Sequence, residues 1–130
     1  MVTRMTVQIS MVGLVVRDKP ASLAFYRRLG LDIPPDADAS RFTELRMESG
    51  VTLFWDTVWT DRHDPTHRPV QAGYGILLEF FLADTDAVDA KYAELTAAGY
   101  HGRMAPKQTE GPYAAMVDDP DGNVVLITAG

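Results

Sequence analysis

The chain contains two copies of one pattern, and this repeat limits the possible folds more than any other feature. A strand-like apolar stretch leads into a helix-like segment in 12-VGLVVRDKPASLAFYRRLGLD-32 and again in 77-LLEFFLADTDAVDAKYAELTAAGY-100. Asp84, which ends the second apolar stretch, stands 66 positions after Asp18, which ends the first. Self-similarity at a fixed offset indicates two related structural modules.

Each copy carries the signals of a helix start and a helix end. Asp18 and Asp84 can accept hydrogen bonds from the free N–H groups of a first helical turn, and Pro20 suits that turn because it has no N–H. Gly30 and Gly99 stand where a helix favours a left-handed residue after its last turn. The repeat therefore predicts one helix in each half.

Short strand patterns follow each helix, joined by acidic turns that contain glycine. They are 41-RFTELRME-48, 51-VTLFWDT-57, 113-YAAMVD-118 and 123-NVVLITA-129. Each half thus predicts a strand, a helix and about three further strands, an α+β arrangement. We expect a single domain over residues 1–130, with one module at about 5–57 and the other at about 74–130.

Composition excludes several classes of function. The net charge of −6 and the 18 acidic residues argue against nucleic acid as a partner, because phosphate binding needs concentrated Lys and Arg. An acidic protein mildly attracts a cationic small molecule. The absence of cysteine rules out disulfides and thiolate zinc sites. No apolar run approaches the ~20 residues of a membrane span, so we expect a cytoplasmic protein without a membrane partner.

The ordered motifs resemble the vicinal oxygen chelate superfamily, which includes glyoxalase I, extradiol dioxygenases and bleomycin-resistance proteins. The motifs that carry the resemblance are VGLVVRD, FYRRLGLD, LLEFFLADTDA, AELTAAG and DDPDGNVVLI. The resemblance implies two βαβββ modules whose mixed sheets curve around a shared cavity. It also implies a homodimer, commonly with exchanged strands.

The resemblance places four metal ligands, and this chain has apolar residues at all four positions. Met11, Phe54, Leu77 and Leu126 stand where the family carries histidines and carboxylates. These side chains cannot replace the ligands of a divalent cation. We therefore expect neither a metal nor another cofactor, and no catalytic residue of the family's kind. The pattern resembles the branch of the superfamily that binds drugs.

Strand parity predicts which residues line the cavity, because alternate residues share one face. Aromatic residues at strand ends and in the segment between modules suit a flat guest, and Trp59 stands in a polar stretch that reads as a loop. Trp55 faces the core by parity, although it adjoins Phe54. The predicted ligand-binding residues are Met11, Phe42, Phe54, Trp55, Trp59, Leu77, Glu79, Tyr113 and Leu126. The alternative is that Met11, Leu77 and Leu126 fill a closed core.

Charged and metal-prone clusters have simpler explanations. Glu79 either receives a cationic guest or forms an internal or interface contact, with Glu44 and Arg46 as candidate neighbours. His63 and His67 have a spacing that suits zinc on a helix, but Asp64-Pro65 favours a solvated loop. The acidic run 118-DDPDGN-123 lacks the spacing of an EF-hand and predicts a plain turn.

Three hypotheses remain open at this stage. The leading one is a non-catalytic homodimer that sequesters a bulky aromatic, DNA-damaging natural product of the bleomycin, mitomycin or enediyne type and confers self-resistance. The alternative is a metal-independent isomerase, lyase or oxygenase of natural-product metabolism that uses Glu79 as a base. The third is a regulatory or scaffold module without a small ligand.

Overall fold

The computed structural model describes residues 9–40, 42–66 and 76–129. In these residues two sheets of three and four strands are accompanied by few helices, an α+β fold as predicted. The elements are β1 Met11–Val15, α1 Lys19–Leu29, a 3₁₀-helix Pro35–Ala39, β2 Phe42–Arg46, β3 Thr52–Asp56, α2 Trp59–His63, β4 Leu77–Leu82, α3 Thr85–Ala97, β5 Gly102–Gln108, β6 Tyr113–Asp118 and β7 Val124–Ala129. None of these helices combines the length and the hydrophobicity that crossing a bilayer requires.

The chain divides into two compact units, and the division differs from the sequence repeat. The first unit comprises Met1–Pro20 with Ile33–His67, and the second comprises Ala21–Asp32 with Arg68–Gly130. Most of α1 therefore belongs to the second unit, although the repeat assigns it to the first module. The repeat shows which segments have similar sequences. The division into units depends instead on which elements contact each other in the folded chain.

The first unit has a three-stranded sheet with β3 in its centre. β1 runs parallel to β3 and β2 runs antiparallel to it, which gives the order β1-β3-β2. Phe54 of β3 lies between Gly13 of β1 and Glu44 of β2. Side chains of the opposite parity, including Leu14, Leu53 and Trp55, are buried and form the core of this unit.

One predicted strand is replaced by a 3₁₀-helix. The described part of the first module has two strands after α1, where the repeat predicted about three. The chain turns at Pro34 and Pro35, which lack the N–H groups that a sheet ladder needs. Ser40 ends this helix, and its backbone N–H donates to the Ala37 carbonyl.

The second unit has a four-stranded sheet in the order β4-β7-β6-β5. β4 runs parallel to β7, while β6 pairs antiparallel with both β7 and β5. On one face of this sheet, Ile127, Ala115 and Val117 are fully buried. Val88 and Leu95 of α3 are fully buried as well, which places the apolar stripe of that helix in the core of the same unit.

Three of the predicted helix signals, Asp84, Gly30 and Gly99, are confirmed. The Asp84 carboxylate accepts a hydrogen bond of 2.8 Å from the Ala87 N–H and caps α3. Gly30 and Gly99 follow the helices with φ values of +124° and +99°, a left-handed region that glycine enters without a Cβ clash. The local sequence therefore determined the start of α3 and the C-terminal ends of α1 and α3.

A buried hydrogen bond anchors the turn between β6 and β7. The Tyr26 hydroxyl donates to the Asp119 carboxylate at 2.7 Å, and both side chains are buried. The same carboxylate accepts bonds of 2.9 Å from the backbone N–H groups of Asp121 and Asn123 and from the Asn123 side chain. Four donors thus satisfy one buried charge, and the acidic run forms a hydrogen-bonded turn.

Replacing Tyr26 with Phe should lower the free energy of unfolding by about 1–2 kcal/mol, because it removes one donor from a buried carboxylate. The loss should depend on pH. Burial first, and Asp119 second, raise the pKa of Tyr26 above its ordinary value of 10.0. Below about pH 10 the tyrosine is neutral in both states; above it, only the unfolded chain ionises, so the stabilising contribution of Tyr26 falls as pH rises.

Urea unfolding of the two proteins between neutral pH and moderately alkaline pH measures this difference. The gap in stability should narrow at the alkaline end, because Phe cannot ionise. A gap that stayed constant would show that the Tyr26 hydroxyl ionises as readily in the folded protein as in the unfolded chain.

Candidate functional site

The first unit presents a row of aromatic side chains, which we call the aromatic surface: Phe42, Phe54, Trp59 and His63. The Phe42 and Phe54 ring centroids are 5.3 Å apart, those of Phe54 and Trp59 are 6.3 Å apart, and those of Trp59 and His63 are 4.5 Å apart. Phe42 and Trp59 are each 45% exposed. Exposed neighbouring rings offer a stacking surface that a scattered set of aromatics would not.

The central ring of this surface lies over a glycine. A Cβ atom built on Gly13 would stand 2.1 Å from Cζ of Phe54, far inside any real contact distance. Gly13 and Phe54 are partners in the parallel pairing of β1 with β3. The missing side chain at Gly13 therefore allows the Phe54 ring to lie across the neighbouring strand.

Trp59 begins a short helix, which corrects the predicted loop. The Asp56 carboxylate accepts a 2.8 Å bond from the Val58 N–H just before α2 starts. α2 ends at His63, with the Asp64 N–H donating to the Thr60 carbonyl, as the Asp64-Pro65 break suggested. The helical spacing brings His63 against the Trp59 ring. His67, the second histidine of the predicted pair, lies outside the described residues.

Two predicted ligand-binding residues are corrected by their positions. Trp55 is fully buried in the core of the first unit, because it has the opposite parity to Phe54. Tyr113 has the opposite parity to Met116 and Leu126, and its hydroxyl donates to Asp89 of α3 at 2.5 Å. That bond, followed by desolvation, raises the pKa of Tyr113. Neither residue belongs to the faces that carry the other predicted positions.

The second unit has its own largely apolar sheet face. Leu77 and Glu79 of β4 share this face with their β7 partners, of which Leu126 pairs with Glu79. Thr128 donates its hydroxyl to the Glu79 carboxylate at 2.9 Å. Met116 pairs with Leu126 on the same face, and parity counted from Leu126 would have found it in the sequence.

Glu44, predicted only as a candidate neighbour of Glu79, lies beside the aromatic surface. It pairs directly with Phe54 across β2 and β3, so it stands beside the central ring of the aromatic surface. Among the described residues its carboxylate makes no hydrogen bond and no ion pair, and the side chain is exposed. Arg46 follows on the same face and pairs with Thr52 instead. The parity that identified Phe54 would have indicated Glu44 as well.

A polar cluster positions the chain just before β2. Lys19 is buried, and its Nζ donates to the carbonyl and to the hydroxyl oxygen of Ser40, the latter at 2.9 Å. Burial lowers the pKa of Lys19, while the carboxylates of Asp38 and Asp56 oppose that shift. The Ser40 hydroxyl is 3.0 Å from the Phe42 carbonyl, to which it donates. Lys19 therefore helps to hold the start of the strand that carries Phe42.

Two open cavities contain none of the aromatic-surface residues in their linings. One of about 440 Å³ is lined by Arg17, Asp18, Lys19, Pro20, Asp38, Ser40 and Thr57. The other, of about 510 Å³, is lined by Ala24, Arg27, Arg28, Gly30, Lys91 and Glu94. Both linings are predominantly polar or charged, which does not suit a flat apolar guest.

Comparison with known proteins identifies the family. Residues 8–127 match the glyoxalase/bleomycin resistance protein/dioxygenase superfamily. The chain belongs to this superfamily. Among curated proteins, none matches the chain.

Solved structures of the glyoxalase/bleomycin resistance protein/dioxygenase superfamily share the fold along nearly the whole chain. A family enzyme from Burkholderia phytofirmans PsJN is 23% identical, with a TM-score of 0.76 over 95% of this chain and 98% of that one. A glyoxalase-related enzyme from Fulvimarina pelagi is 22% identical, with a TM-score of 0.75 over 95% and 88%. A glyoxalase/bleomycin resistance protein from Albidiferax ferrireducens T118 is 26% identical, with a TM-score of 0.69 over 93% and 97%.

The positions that the resemblance assigned to a metal do not fit a divalent cation. Met11 and Phe54 share one face in the first unit, and Leu77 and Leu126 share one face in the second. Their thioether and hydrocarbon side chains lack the imidazole and carboxylate donors that the ion requires. The described residues contain no other group of three or more His, Cys, Asp or Glu suited to a metal. The chain therefore departs from the metal-binding pattern at all four positions.

The contact between Gly13 and Phe54 predicts strong coupling between two substitutions. Gly13→Ala should destabilise the protein by about 1–3 kcal/mol, because the new methyl group displaces the Phe54 ring. The same substitution in a Phe54→Ala background should cost much less. Thermal or urea unfolding of the four proteins in this cycle measures the coupling. Equal costs in the two backgrounds would show that the ring does not rest on Gly13.

Proposed function

We propose that this protein binds a planar aromatic small molecule by stacking on the aromatic surface, without a metal. The observation that carries the proposal is the row of rings from Phe42 through Phe54 to Trp59, two of which are 45% exposed. Exposed contiguous aromatic area is uncommon on a protein surface and typically marks an interaction site. Family membership supports the proposal because the superfamily's description includes bleomycin resistance proteins.

The biological role we propose is sequestration. A protein that holds a bulky aromatic, DNA-damaging natural product of the bleomycin, mitomycin or enediyne type would protect the cell that makes it. Burial of flat apolar surface contributes about 25 cal/mol per Å², of which a part is lost to the ordering of ligand and side chains. Aromatic side chains order at low cost because they have only two rotatable bonds. Stacking alone can therefore give a useful affinity.

The environment of Glu79 favours binding over catalysis. A carboxylate base needs desolvation or a like charge to raise its pKa toward neutrality. Glu79 is exposed within its unit, and its carboxylate already accepts a hydrogen bond from the Thr128 hydroxyl. These features suit a carboxylate that orients a guest better than one that removes a proton.

We propose that two copies of the chain associate. β4 is an edge strand of its sheet, and the three apolar residues Ile76, Leu77 and Phe81 on or beside it are exposed by 76%, 42% and 74%. An exposed apolar edge promotes pairing with another chain. A second copy would cover this surface and complete a groove.

Sedimentation equilibrium at micromolar concentration should therefore show a dimer. Phe81→Glu should shift the protein toward monomer by placing a charge in the apolar contact. The matched control is Tyr113→Phe, which removes one hydroxyl on the opposite face of the sheet and should leave the dimer intact. Monomeric wild-type protein across this concentration range would contradict the proposed association.

Trp59→Ala should weaken binding of a planar aromatic ligand by about thirtyfold, as expected for a stacked tryptophan that contributes about 2 kcal/mol. Its effect on the melting temperature should be small, because the side chain is half exposed. Phe54→Ala should reduce both affinity and stability, since this ring also packs on Gly13. Fluorescence titration with each protein measures the affinities. Tyr113→Ala, which removes an aromatic ring from the second unit, is the matched control and should bind normally.

Native mass spectrometry with a panel of DNA-damaging natural products separates the two classes of function. Ligand recovered unchanged from the wild-type complex supports sequestration. Ligand recovered as a product, together with loss of turnover but not of binding in Glu79→Gln, would replace the proposal with a metal-independent enzyme.

A further inference from the structure

We propose that Glu44 makes the aromatic surface selective for cationic ligands, so that the guest is a planar aromatic molecule with a positive charge. This inference rests on the binding function proposed above and assigns the chemical class of the ligand. It depends on the placement of one exposed carboxylate beside the central ring. Glu44 is the cross-strand partner of Phe54, and directly opposed residues of an antiparallel pair have Cβ atoms about 4.5–5.5 Å apart.

The carboxylate of Glu44 is available to a ligand. Within the described part of the chain it takes part in no hydrogen bond and no ion pair, and its side chain is exposed. The other acidic residue on this face differs, because the Asp56 carboxylate is almost fully buried and accepts a bond from the Val58 N–H. Glu44 is therefore the acid on this face that a guest above Phe54 can reach.

The rings and the carboxylate favour the same charge. The face of an aromatic ring is electron-rich and attracts a cation, most strongly when the ring is that of tryptophan. Phe54 and Trp59 therefore add to the attraction of Glu44 for a cation, and they oppose an anion. The net charge of −6 on the whole chain acts in the same direction at longer range.

Arg46 follows Glu44 on the same face of β2, and it does not cancel this preference. Along β2 the order is Phe42, Glu44, Arg46, so Glu44 stands between the aromatic surface and Arg46. Arg46 pairs across the sheet with Thr52, one row away from Phe54. The described residues contain no ion pair between Arg46 and Glu44. A guest stacked on Phe54 is therefore one row closer to Glu44 than to Arg46.

Three planar probes of similar size test the inference by fluorescence titration: proflavine, which is a cation at neutral pH, an uncharged anthracene alcohol and an anthracene carboxylate. Wild-type protein should bind proflavine most tightly and the carboxylate least tightly. Glu44→Gln should weaken proflavine binding by about threefold to fivefold, the range for an exposed charge pair, and leave the alcohol within about twofold. Added salt should weaken proflavine binding to wild type more than to Glu44→Gln.

Arg46→Gln is the matched control, since it removes a charge from the same strand and face. It should leave proflavine binding unchanged or slightly tighter. Circular dichroism melts of both variants should match wild type, because both side chains are exposed.

Two results would contradict different parts of the argument. One result is that the alcohol binds, that Phe54→Ala weakens its binding, and that Glu44→Gln does not weaken the binding of proflavine. In that case the charge selectivity is wrong and the stacking site stands. If none of the three probes binds wild-type protein, both the stacking site and the selectivity are wrong.

Discussion

The hydrogen bond between Tyr26 and Asp119 is the interaction on which the second unit depends most. A buried carboxylate is costly unless donors surround it, and here a helix, a turn and a side-chain amide supply them together. Because Tyr26 lies 93 residues before Asp119, this bond joins α1 to the β6–β7 hairpin and closes a long loop of chain.

The two sheets differ in the residues that surround the predicted metal-ligand positions. In the first sheet the face that carries Phe54 is largely accessible, whereas in the second the face that carries Leu126 also includes the buried Ala114, Val124 and Thr128. Both faces carry positions that the resemblance assigned to metal ligands. In the first unit Phe54 covers Gly13, whereas in the second Glu79 pairs with Leu126 and bonds to Thr128. Apolar side chains at these positions supply contact area in place of metal-ligand donors. This exchange is the physical basis of the binding function that we propose.

The faces that carry Phe54 and Leu126 each include a carboxylate, but the two carboxylates stand at different positions of the repeat. Glu44 opposes Phe54 in the first unit, where the second unit has Met116 opposite Leu126. In the repeat, Glu79 holds the position that corresponds to Gly13 in the first copy. The two residues are 66 positions apart, the same offset as between Asp18 and Asp84. Among the described residues, Thr128 holds the Glu79 carboxylate, whereas the Glu44 carboxylate has no side-chain partner. The repeat therefore accounts for the shared architecture, and local substitutions distinguish the two surfaces.

The sequence by itself determined the features that depend on neighbouring residues or on parity. The cap at Asp84, the left-handed Gly99 and the shared face of Met11 and Phe54 follow from hydrogen-bond chemistry and the two-residue period of a strand. Tertiary structure alone decided where those elements pack. It grouped most of α1 with the second unit and, among the described residues, left the Glu44 carboxylate without a partner beside Phe54. Such outcomes depend on contacts between residues that are far apart in the sequence, and a local sequence pattern does not specify those contacts.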